Sequence, residues 1–116
     1  MKTLMLISVI MLVGCATAPT AESMAGTYEL KKDGYTVRLI FRENGAFDAY
    51  KNGNKDEDEG KWKILNGEIH VKVEDGWVII FRIIPDRGIA GIKEITPDGI
   101  QKDVPKEEQF TYKRTK

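Results

Sequence analysis

Cysteine, histidine and serine are scarce in this 116-residue chain. The one cysteine, Cys15, excludes an intramolecular disulfide. The one histidine, His70, excludes the sets of several histidines that commonly hold a catalytic zinc. The only serines are Ser8, in an apolar N-terminal run, and Ser23, in a segment without periodicity. A Ser–His–Asp or Cys–His hydrolase needs its nucleophile fixed beside a base, and neither nucleophile stands on a rigid element. Surplus charge is missing as well. Eighteen basic residues balance 18 acidic ones, so the chain lacks the excess cation that displaces counterions from nucleic acid. Helical periodicity is also missing, and Gly and Pro recur too often for a long helix. The longest apolar run, Leu4 to Val13, would rise about 15 Å as a helix, half of a bilayer core.

That short run, with Lys2 before it, has the build of a secretory signal. It ends Leu12-Val13-Gly14-Cys15, which resembles the lipobox of bacterial lipoprotein precursors. The resemblance implies cleavage before Cys15 and lipidation of Cys15, first on the thiol. A thiolate is the side-chain nucleophile suited to forming the thioether, and several acyl chains make a lasting anchor where one is marginal. Ala16-Thr17-Ala18 is a competing small-residue site that would release a soluble product. Ala16 rather than Asp follows the cysteine. In lipoproteins of enterobacterial type this implies export to the outer membrane, facing the periplasm. The expected organisation is a signal peptide at 1–14, a lipidated Cys15 and tether at 15–25, and a β domain at 26–116.

From Gly26 onward, turn dipeptides punctuate the chain: Asp33-Gly34, Asn44-Gly45, Asn52-Gly53, Asn66-Gly67, Asp75-Gly76 and Asp98-Gly99. Such pairs tolerate the positive φ of tight hairpins. Between them lie β-rich runs at 27–31, 35–42, 46–51, 60–64, 68–74, 77–84, 89–95 and 109–113. Tyr35, Val37, Leu39 and Phe41 alternate with polar residues, as do Ile69, Val71 and Val73, Trp62 and Ile64, and Phe110 and Tyr112. Period two with one polar face predicts an all-β, antiparallel, up-and-down meander of about eight short strands around one core. A small barrel removes the exposed edges of such a sheet; a two-sheet sandwich is the alternative. The run 77–84 is apolar on both faces, so it is either covered twice or offers Val78, Ile80 and Ile84 to a partner, with Ile40 on a neighbouring hairpin.

Gly26-Thr27-Tyr28, the hairpin Phe41-Arg42-Glu43-Asn44-Gly45-Ala46-Phe47, and Gly60-Lys61-Trp62-Lys63-Ile64 leading to Asn66-Gly67-Glu68-Ile69 follow one another in a telling order. The order resembles small bacterial lipocalin-like lipoprotein domains. Tyr28 stands where a lipocalin usually has Trp, and no terminal helix is visible. The resemblance implies that Arg114, on the last strand, stacks on Tyr28.

Two further features have ordinary readings. His70 lies on the polar face of its strand and reads as a solvated sheet residue. In Asn54–Gly60, oxygen ligands at 54, 56 and 58 resemble the start of a calcium loop, but the glycine comes one position late and Leu65 replaces the closing Glu. An EF-hand is excluded, and no metal or cofactor is expected. No constellation meets the requirements of an active site, so the expected function is non-enzymatic. The first expectation is an interaction module at the periplasmic face, presenting Ile40, Val78, Ile80 and Ile84 to an envelope protein. The alternative is a carrier of a small apolar ligand, with Tyr28, Leu39, Phe41, Trp62, Val71, Ile79 and Phe81 as interior lining. Eight strands enclose little more than their own side chains or one small ligand.

Overall fold

A computed structural model describes residues 18–56 and 59–115. The expected signal peptide, Cys15 and the start of the expected tether lie outside these residues. The strands are β1 (Gly26–Lys32), β2 (Tyr35–Phe41), β3 (Ala46–Lys51), β4 (Asn54–Lys55), β5 (Gly60–Leu65), β6 (Glu68–Val73), β7 (Val78–Ile84), β8 (Gly88–Ile95), β9 (Gln101–Asp103) and β10 (Thr111–Arg114). A one-turn helix, α1 (Ala21–Met24), precedes them, and a 3₁₀ turn at Lys106–Glu108 separates β9 from β10. No helix among the described residues is long and apolar enough to cross a membrane.

All pairings are antiparallel. The eight strands β1, β2, β3, β5, β6, β7, β8 and β10 form a ring, which β10 closes by pairing with both β8 and β1. The continuous ring is a barrel, and the sandwich alternative is set aside. Two short strands are additional: β4 pairs with β3, and β9 with β8.

Turn chemistry sets the register. At Asp33-Gly34, Asn52-Gly53 and Asn66-Gly67 both central residues have positive φ, the conformation that matches a two-residue hairpin to strand twist. One irregularity changes side-chain direction. Phe81 faces Gly91, yet Ile80 faces Lys93, so Ile92 is an extra residue in β8. This bulge reverses the alternation along β8: Ile89 and Gly91 face inward before it, and Glu94 rather than Lys93 does so after it.

The two ends of the barrel differ. At the end holding α1 and the turns at 42–45, 66–67 and 85–87, the interior is packed. Phe41 is its centre, with ring centroids 5.4 Å from Tyr28, 5.1 Å from Phe47, 5.3 Å from Trp62 and 6.1 Å from Phe81. Ile69, Val71 and Ile89 complete this core and are inaccessible to solvent. The Trp62 indole N–H donates to the Arg42 carbonyl at 2.8 Å, so its polar edge is satisfied.

The segment expected as tether is partly built into this floor. Thr20 and Ser23 cap α1 reciprocally, and Met24 and Ala25 pack against the core. The Tyr28 hydroxyl donates to the Met24 carbonyl at 2.8 Å. Arg114 faces Tyr28 in register and lies 5.8 Å from its ring. Its guanidinium donates to the Ser23 carbonyl at 2.8 Å and the Ala25 carbonyl at 2.6 Å. Burial pushes the Tyr28 phenol above its ordinary pKa, and the Arg114 charge partly opposes this.

The closing seam is narrow: β10 meets β1 through Lys113 opposite Glu29 and Arg114 opposite Tyr28, and the Thr115 N–H just beyond donates to the Thr27 carbonyl at 2.8 Å. On its other side β10 approaches β8 closely at Gly88, at φ 149°, where a Cβ would overlap the Tyr112 carbonyl. Gly88→Ala is expected to cost about 3 kcal/mol through backbone strain and displacement of β10. Gly53→Ala, at positive φ but in open space, is expected to cost about 1 kcal/mol. Urea denaturation midpoints of the two variants test the difference.

Candidate functional site

The opposite end of the barrel is open. A cavity of about 560 Å³ lies there, above the aromatic floor, within the range of small-molecule sites. Leu39, Phe47, Ala49, Val73, Ile79, Phe81 and Tyr112 form its apolar wall. Gly91 also faces it and contributes no side chain to fill the lumen; a Cβ there would stand 3.8 Å from the Phe81 ring. Trp77, Val104 and Phe110 stand at the rim.

Two structural choices keep this end from packing shut. Only the first two residues of β3 pair with β5, and Tyr50 and Lys51 turn to β4 instead. Likewise β8 gives its first three residues to β10 and its last three to β9. The extra strands extend the wall where the main ring diverges. The segment from Val104 to Phe110 then runs past the opening, held by the Val104 N–H on the Ile92 carbonyl at 2.9 Å and the Gln109 amide on the Val104 carbonyl at 2.9 Å.

Of the expected lining residues, Leu39, Ile79 and Phe81 reach the cavity. Tyr28, Phe41, Trp62 and Val71 lie beneath it in the packed floor and are not available to a ligand there. Several wall residues were not anticipated. Phe47, Ala49 and Val73 share the inward phase of the flanking core residues, so alternation alone could have found them. Glu94 was hidden by the bulge. Phe110 differs from its expected inward place because β10 begins at Thr111; it is 36% exposed, with the Lys32 ammonium 3.5 Å above its ring.

The four residues expected as one outer surface do not form one. Ile40 is on β2 and the others on β7; three strands of the ring separate these in either direction. Ile40 faces Asp48 across the pair with β3, and Asp48 is itself only 8% exposed. Its carboxyl is held below the usual range chiefly by the hydrogen bond from Arg42, at 2.8 Å; burial opposes this and the Lys55 charge reinforces it. Ile84 is half-buried at the closed end, in a groove with Pro85 and Arg114. Ile80 is on the outer face between His70 and Lys93, yet only 5% exposed. Flanking side chains cover it, so it offers no open contact. His70 is not freely solvated either: its side chain is 19% exposed, and its buried Nε2 makes no hydrogen bond among the described residues. Val78 lines an outer groove with Leu65, His70 and Ile95.

Among the described residues no three of His, Cys, Asp and Glu gather to hold a metal ion. No family model, curated protein or solved structure matches this chain. The geometry therefore defines a class only: a small closed antiparallel β-barrel with a packed floor and an open mouth.

The coverage of Ile80 yields a measurable contrast. Ile80→Ala is expected to destabilise the barrel by about 2–3 kcal/mol, as truncation of a covered isoleucine does. Ile40→Ala and Val78→Ala, both half-buried, are expected to cost about 1 kcal/mol each. Chemical denaturation of the three variants measures the order.

Proposed function

We propose that the protein is a non-enzymatic, lipid-anchored, lipocalin-like lipoprotein of the bacterial cell envelope that carries a small, largely apolar ligand in the mouth of its barrel. The observation that supports this most is the cavity of about 560 Å³, walled by inward side chains and left open by the missing side chain at Gly91. A barrel whose core alone mattered would fill that volume, because interiors pack densely.

The direction of the chain supports the anchoring half of the reading. The described residues enter at the floor, where α1 is held by Tyr28 and Arg114. An anchor preceding α1 would turn the floor toward the membrane and the mouth away from it, into the periplasm in the outer-membrane case. The second reading, an interaction module, has one supporting feature. Leu65, 45% exposed, joins Val78 and Ile95 in the outer groove, between Lys61, Lys63 and Lys72.

Two measurements test the proposal. N-phenyl-1-naphthylamine titrated against the purified chain is expected to give a saturable fluorescence rise. Gly91→Leu, which projects a side chain into the mouth, is expected to weaken it at least tenfold, a loss of about 1.4 kcal/mol, without changing the far-UV dichroism. Absence of a saturable signal from the unaltered chain refutes the carrier. Labelled palmitate is expected to enter the protein in growing bacteria and to be lost in Cys15→Ser; failure to incorporate it refutes the anchor.

A further inference from the structure

The mouth is apolar in its walls, and the charges among its described lining residues are acidic. Every charged residue among the described ones that line it is a carboxylate: Asp56, Asp75, Glu94 and Glu108. Among the described residues no Lys, Arg or His belongs to the lining; the Lys32 ammonium stands at the rim, over the ring of Phe110. The charged residues of the whole sequence balance, so this separation is a property of the fold.

Glu94 is the telling residue. An uninterrupted β8 would turn Lys93 inward and Glu94 out; the extra residue Ile92 exchanges them. The bulge therefore removes a cation from the mouth and installs an anion. Lys102 is the cross-strand neighbour of Glu94, yet no ion pair among the described residues joins them or involves Asp75 or Glu108. Trp77 and Tyr112 supply aromatic surface beside these carboxylates, and aromatic faces attract cations as well as apolar groups.

Resting on the carrier reading above, we infer that the natural ligand is an organic cation: an amine or quaternary ammonium on an aromatic or aliphatic body. The body would displace water from the wall of Leu39, Ile79 and Phe81, and the cationic head would sit among the carboxylates. A fatty acid or other anionic amphiphile meets only like charge at the entrance and is disfavoured.

Three naphthalenes of one skeleton test this by calorimetry on the purified full chain: 1-naphthylmethylammonium, 1-naphthalenemethanol and 1-naphthoate. The ammonium is expected to bind about tenfold more tightly than the alcohol, as one charge-assisted contact warrants, and the naphthoate most weakly. Glu94→Gln, with Asp75→Asn as a second variant, is expected to weaken the ammonium several-fold more than the alcohol, removing most of the ammonium's advantage. An alcohol or naphthoate that binds as tightly as the ammonium overturns the inference while leaving the carrier standing. An ammonium affinity indifferent to both variants overturns it equally. Binding of none of the three overturns the carrier reading and the inference together.

Discussion

The barrel is organised around the aromatic contacts of Phe41, three of them edge-to-face and the one with Phe47 tilted. Its ring meets Tyr28 from β1, Phe47 from β3, Trp62 from β5 and Phe81 from β7, so one side chain ties strands on opposite sides of the ring. Such pairs contribute about 0.5–1.5 kcal/mol each beyond the area they bury. Tyr28 and Trp62 carry polar atoms into this cluster, and both are satisfied by backbone carbonyls at the floor. The aromatic layer thereby fixes the height to which the lumen is filled. Above it the inward positions include the small residues Ala49 and Gly91 among Leu39, Val73 and Ile79, and the barrel stays open.

Closure and opening are thus divided between the two halves of the same strands. The lower halves pair around the full ring; the upper halves of β3 and β8 turn to the added strands β4 and β9. A sheet of eight strands holds little more than its own side chains, so a lumen that also admits a ligand needs either more circumference or smaller residues. This chain uses both devices locally, at the mouth alone, while Arg114 and α1 secure the floor.

Much of the fold was legible in the sequence because its signals are local. Asp-Gly and Asn-Gly pairs fix turns within two residues, and alternation places Leu39, Phe41, Trp62 and Phe81 inside without reference to any partner strand. The stacking of Arg114 on Tyr28 followed from a resemblance and is present in the geometry. What escaped depends on pairing between distant segments. The bulge at Ile92 is defined only by the register of β7 on β8, so the inward turn of Glu94 had no sequence signature. Ile80 is covered by side chains of neighbouring strands, which no inspection of 77–84 alone reveals. The separation of Ile40 from β7 is a matter of ring order. The capped turn α1 was missed because Ser23 occupies the position where a capping box carries Glu or Gln.

The hold of Arg114 on the Ser23 and Ala25 carbonyls has an architectural corollary. Both flanks of the barrel leave through the same face, so a cargo domain or an immobilising tag joined at either flank would stand clear of the entrance. For the same reason the two flanks could be linked by a few residues and the ring cut afresh at Asp33-Gly34, giving a permuted barrel with its old ends sealed inside the floor.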